Sequence, residues 1–202
     1  MKLIKYLMFI IILCIGFEGD LFSWMEKSSG RKNNTFGVST GFLYPAGKLG
    51  EMSKPGYGGV LSYTYSGIFF KNFICGLESG FYSLKGKATS DEAELETDRI
   101  FIVPLLVTSG YKIPVTRKLF IIPSISAGAA YFNATYSQSE KDSTDGKEGS
   151  DDFWDADMKA GIGMTYFFSN CYIGISGDYG IFTESDYINR FYSGSVLFGY
   201  SY

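Results

Sequence analysis

The chain has 202 residues, a formal net charge of -3 and 46% hydrophobic residues. That content excludes a chain disordered throughout, and the charge leaves no footprint for nucleic acid. Histidine is absent, which excludes Ser-His-Asp hydrolysis, Cys-His chemistry and His-ligated metal sites.

In chain order, Met1 to Ser23 reads as a secretory signal. Lys2 and Lys5 supply its positive start, and Leu7 to Phe17 its apolar run, which is too short to span a membrane as a helix. Gly19 and Ser23 are the candidate cleavage positions. Cys14 follows Leu13, a residue of the wrong size for a lipid-attachment box. Residues 24–34 form a short polar segment. Beyond the signal stand two cysteines, Cys75 and Cys171, too few and too distant for a disulfide framework and read as small apolar residues.

With 18 Phe, 16 Tyr and 25 Gly, the composition disfavours helices and suits pleated strands separated by turns. Eight stretches alternate with period two, at 35–44, 57–65, 72–84, 99–112, 118–134, 153–168, 171–181 and 190–202. In the sixth, Trp154, Met158, Ile162 and Tyr166 share one face, while Asp155, Asp157, Lys159 and Gly163 share the other. The gaps alternate too. Those at 45–56, 85–98, 135–152 and 182–189 are long; those at 66–71, 113–117 and 169–170 are short. Long loops at one end and tight turns at the other are the pattern of a transmembrane barrel, which must close to pair every backbone group.

The aromatics indicate which face meets lipid. Phe36 and Phe42, Tyr57 and Tyr65, Phe73 and Phe81, Phe101 and Tyr111, Trp154 and Tyr166, and Tyr192 and Tyr200 are pairs of one parity near opposite strand ends. A spacing of about eight residues on a tilted strand covers roughly 20 Å, the height between the aromatic girdles of an outer-membrane barrel. The expected fold is therefore all-β: an eight-stranded antiparallel up-and-down transmembrane barrel over 35–202. A soluble aromatic sandwich would not stack these rings at two levels.

Several stretches resemble a known family, the small eight-stranded bacterial outer-membrane barrels of the OmpA, OmpX and OmpW type. They are Gly76 to Gly86, Ile102 to Tyr111 and the small residues from Ser124 to Tyr131. The end of the chain, with Gly199, Tyr200 and Tyr202, is similar to the terminal signal by which the assembly machinery recognises such barrels, with Tyr in place of the commoner Phe. The resemblance implies an outer-membrane location, contact with membrane lipid and with the barrel-assembly machinery, and a ligand met through extracellular loops. It also implies no cofactor. The enzymes of this architecture rely on a histidine this chain lacks, so the expected role is non-enzymatic.

The inward charges expected are Glu78, Asp155, Asp157, Lys159 and Asp178. A two-residue turn at Ser169–Asn170 sets Lys159 opposite Gly180 and diagonal to Asp178, which predicts a Lys159–Asp178 interaction with Asp157 and Glu78 as candidate further members. These charges either fill a narrow lumen as a polar plug or line an ion path. Acidic runs at Asp91 to Asp98 and Glu140 to Asp152 read as solvated loops. The calcium-loop likeness of Asp142, Asp145 and Gly146 fails because Lys141 occupies the first ligand position. Pro104 and Pro123 fall inside expected strands, where each removes a ladder donor, and are expected to mark bulges or strand ends. The alternative function is a small pore or conduit for ions or hydrophobic compounds; a hydrophobic conduit needs an apolar lumen or a lateral opening, whereas the expected inward face is small and charged.

Overall fold

The structure is a computed structural model that describes residues 34–67, 72–87, 95–138, 148–184 and 187–202. The signal segment, most of the polar segment after it, and the acidic stretches 88–94 and 139–147 lie outside the described residues. Among the described residues, the strands are β1 Asn34–Ala46, β2 Gly56–Ser66, β3 Phe73–Lys85, β4 Leu95–Tyr111, β5 Leu119–Gln138, β6 Glu148–Phe168, β7 Cys171–Glu184 and β8 Tyr187–Ser201. Each pairs antiparallel with the next, and β8 returns to β1 from Thr35↔Ser201 to Ala46↔Arg190. The result is a closed barrel of eight strands. Its seam ends in reciprocal backbone bonds, Tyr202 N–H to Asn34 O at 2.9 Å and Asn34 N–H to Tyr202 O at 3.3 Å.

The alternation read from sequence sets the faces. One aliphatic from each strand, in order Val38, Leu61, Leu77, Leu105, Ile125, Ile162, Ile175 and Val196, points outward and is exposed. Aromatics flank this band at both ends. Phe42↔Tyr57, Tyr44↔Tyr192 and Tyr131↔Trp154 face each other toward the long connections. Phe36↔Tyr200 and Phe73↔Tyr111 do so toward the short turns. An apolar exterior between two aromatic rings is the surface that hydrocarbon requires.

Register follows the expected turn: Phe168 pairs with Cys171 and Lys159 with Gly180. Ser169 opens this two-residue turn with φ 61°, the left-handed geometry that matches strand twist. The fourth long gap is a correction. β7 and β8 run on until only residues 185–186 separate them, and β5 and β6 likewise extend to Gln138 and Glu148. Beyond the lipid band the outward face need not be apolar, so the hydrophobic alternation ends before the hydrogen bonding does.

Pro104 is not at a bulge, and its effect is smaller. The β3–β4 ladder keeps its register but skips the positions where Gly80 and Phe81 would pair, between Ser79↔Leu105 and Tyr82↔Ile102. Pro123 coincides with the end of the continuous β4–β5 ladder at Gly110↔Ser124, which resumes in the two-residue extension Ile113–Pro114. Each missing donor thus removes a short stretch of ladder without shifting the strands. The one register shift in the β4–β5 ladder lies elsewhere, between Thr97 and Arg99.

The first long connection carries a helical turn, α1 Lys48–Met52. Leu49 is buried in the barrel mouth, and its N–H donates to Asn189 Oδ1 at 3.0 Å. Ser53 bridges to Gly86, and Lys87 N–H donates to Met52 O at 2.9 Å. The Lys87 ammonium also bonds Gly50 O. These bonds hold α1 across the mouth.

Candidate functional site

The interior is layered along the barrel axis. At the long-connection end lies an apolar core of Leu43, Leu49, Leu84, Ile100, Ile102, Phe132, Phe182 and Phe191, with Tyr82 and Phe153 packed against it. Four phenyl rings run across β5 to β8. Phe153 stacks on Phe132 at 5.0 Å between centroids, Phe132 meets Phe182 edge-on at 4.9 Å, and Phe182 stacks on Phe191 at 4.5 Å. The sequence pattern predicts an inward face of small and charged residues; in this half the face is apolar. The signal lies in aromatic doublets such as Tyr131-Phe132, Phe153-Trp154 and Phe191-Tyr192. In a strand a doublet must place one ring on each face, so where a girdle aromatic has an aromatic neighbour, that neighbour points into the lumen.

Next to this core sit the charges. Asp155 and Asp157 are buried on β6. Lys159, on the same inward face, places its Nζ 2.5 Å from Glu78 Oε2 of β3. The close ion pair of Lys159 is thus with Glu78, one of the further members expected, and not with Asp178. Asp178 instead accepts a hydrogen bond from Ser193 Oγ at 3.1 Å. It leans over Gly161, where a Cβ would overlap its carboxylate. Glu78 Oε2 is held by the ion pair without a well-aligned hydrogen bond, and Asp157 Oδ1 has no hydrogen-bond partner among the described residues.

From this layer to the short-turn end runs a cavity of about 130 Å³ with a mixed lining: Glu78, Lys159 and Asp178, hydroxyls including Thr35, Ser62, Thr108 and Tyr172, and apolar side chains such as Ile74 and Leu197. Several hydroxyls satisfy one another: Thr108 with Ser126 at 2.7 Å, Ser176 with Ser195 at 2.7 Å and Thr35 with Ser201 at 3.1 Å. Lys112 stands at the rim, just past Tyr111 of the short-turn aromatic ring and outside the spanning strands. Its Nζ donates to Ser66 Oγ at 2.7 Å and lies 5.7 Å from the Phe167 ring centroid. Burial beside these uncharged partners pushes the ammonium down from 10.5 to about 8.

On the outer surface Tyr57, Phe81, Tyr111, Trp154, Tyr166 and Tyr192 are exposed, Tyr57 the most at 74%. Tyr65 is on the same outward face, opposite Cys75. At the chain end, Gly199 lies beneath the Tyr172 ring, and Tyr200 points outward and accepts from Asn170 Nδ2 at 3.3 Å. Among the described residues no group of three or more carboxylates or cysteines is placed to hold a metal ion.

Comparison with solved structures finds the same architecture. Neisserial surface protein A superposes with a TM-score of 0.58 at 13% identity, over 86% of this chain and all of that one. A major outer membrane protein from Thermus thermophilus gives a TM-score of 0.58 at 12% identity, over 84% of this chain and 99% of that one. The chain has the fold of the small eight-stranded outer-membrane β-barrels. The outer membrane protease OmpT from Escherichia coli also aligns, at 8% identity and a TM-score of 0.49 over 88% of this chain and all of that one, a likeness that brings no chemistry with it. No family model and no curated protein matches the chain.

Proposed function

We propose that this is a non-enzymatic protein of the bacterial outer membrane, exported by its N-terminal signal, whose barrel serves as an anchor for surface interactions made by its acidic loops. The observation that carries the reading is the Phe132–Phe153–Phe182–Phe191 plug with α1 above it. A lumen filled by packed apolar side chains offers an ion no hydrated path. The charges beneath it then serve as packing of the interior, with Lys159 and Glu78 neutralising each other. The barrel-assembly machinery would recognise the terminal Gly199, Tyr200 and Tyr202.

Planar-bilayer recording of the refolded barrel tests this reading. The expected result is a silent membrane. Reproducible conductance steps, altered by Lys159→Ala, would defeat it in favour of the small-pore alternative.

A further inference from the structure

The outer wall carries two facing cations at the height of the long-connection aromatics, and among the described side chains neither has an anionic partner. Lys85 ends β3 and stands directly opposite Arg99 of β4. Their neighbours Leu84 and Ile100 are buried in the lumen at 0% and 4% exposure. Strand alternation therefore sends both cations outward, and both are exposed. Side chains in such a pair stand roughly 5 Å apart at Cβ, and like charges there repel.

Among the described residues neither Lys85 nor Arg99 makes an ion pair. The Arg99 guanidinium lies 5.6 Å from the centroid of the Phe101 ring, which fixes it at the level of the long-connection aromatics. Lys54 adds a third exposed cation, its N–H bonded to Lys85 O at 2.7 Å. By contrast Arg190, on the same rim, faces Ala46 and Ile181 and has no cation across from it.

We propose that Lys85 and Arg99 together bind the phosphate of an anionic lipid headgroup in the leaflet at the long-connection end. A phosphate set between them removes their repulsion. The arginine fork can take two of its oxygens while the ammonium takes another. The aromatic ring just below holds the acyl chains against the aliphatic band. This inference rests on the membrane reading of the barrel given above.

The test uses the full chain folded in neutral detergent and titrated separately with phosphatidylglycerol and phosphatidylcholine. Bound lipid is counted by native mass spectrometry. The wild type is expected to prefer phosphatidylglycerol by about tenfold. Lys85→Gln with Arg99→Gln should abolish that preference, while Arg190→Gln keeps it. An unchanged preference in the double variant overturns the proposal. Displacement of the lipid by millimolar inorganic phosphate also overturns it, by making this a site for the free ion.

Insertion into pure phosphatidylcholine vesicles, read by heat-modifiable gel migration, keeps the two readings separate. A barrel that fails to insert defeats the membrane reading. One that inserts yet shows no lipid preference defeats the headgroup site alone.

Discussion

Lys159 and Glu78 meet across the barrel interior, with Nζ and Oε2 2.5 Å apart, although they stand on β6 and β3, strands that are not neighbours in the wall. The pair ties two sides of the cylinder together. It also gives a direct charge partner to a lysine that shares its layer with Asp155, Asp157 and Asp178.

Removing the cation should therefore cost more than removing the pair. Lys159→Ala leaves Glu78 buried beside other carboxylates and is expected to lower stability by about 2–4 kcal/mol. Lys159→Met combined with Glu78→Gln should recover more than half of that loss. Urea titration of the folded, heat-modifiable band measures both. A double variant no better than the single one would show that the ion pair is not what the lysine supplies.

The phenyl plug makes a second prediction. Phe182→Ala removes a ring that packs on both Phe132 and Phe191 and should destabilise the barrel by about 3–5 kcal/mol. Serine at Phe132, Phe182 and Phe191 together should convert a silent barrel into one with measurable single-channel steps. Silence in a triple variant that still folds would mean that α1 alone seals the mouth.

Two glycines are fixed by close approach. A Cβ at Gly199 would overlap the Tyr172 ring, and one at Gly180 would overlap the Phe191 ring. Gly199→Ala and Gly180→Ala should each cost about 1–3 kcal/mol through displaced aromatics. Alanine at Gly149, where a Cβ meets nothing within 4 Å, is the matched control. Equal urea midpoints for all three would remove the packing argument.

Lys112 predicts a pH dependence. Its folded-state value near 8 lies below the ordinary 10.5, so between those values the unfolded chain holds more protons on this group. Its contribution to stability then rises with pH across that window. Below pH 8 the burial penalty is present in full. Lys112→Met should stabilise the barrel at pH 7 by about 1 kcal/mol, partly offset by the lost bond to Ser66, and the gain should vanish by pH 11. Urea midpoints at pH 7, 9 and 11 decide it, and a pH-independent gain would assign the effect to packing.

The strands, their faces and the Ser169–Asn170 register were legible because a half-apolar strand writes period two into its sequence, and a two-residue turn leaves one way to align its neighbours. Aliphatics such as Leu61 and Ile162 point outward as that alternation requires. Strand ends were less legible. Residues 182–184 pair with 187–189 and continue the ladder past the end of the apolar alternation, where no apolar outward face is demanded. Pro104 could be located but not interpreted, because its effect depends on which neighbour loses a bond.

What the sequence by itself determined was local and periodic: which residues face lipid, which face inward, and that an even number of strands could close. Closure decided the rest. Lys159 sits diagonal to Asp178 on an adjacent strand, yet its charge is met by Glu78 from across the lumen, because bending the sheet into a cylinder brings distant strands face to face. The same curvature gathers Phe132, Phe153, Phe182 and Phe191, each an ordinary inward residue of its own strand, into one plug. Such contacts are set by the barrel's diameter and the height of each residue along it, which no single strand encodes.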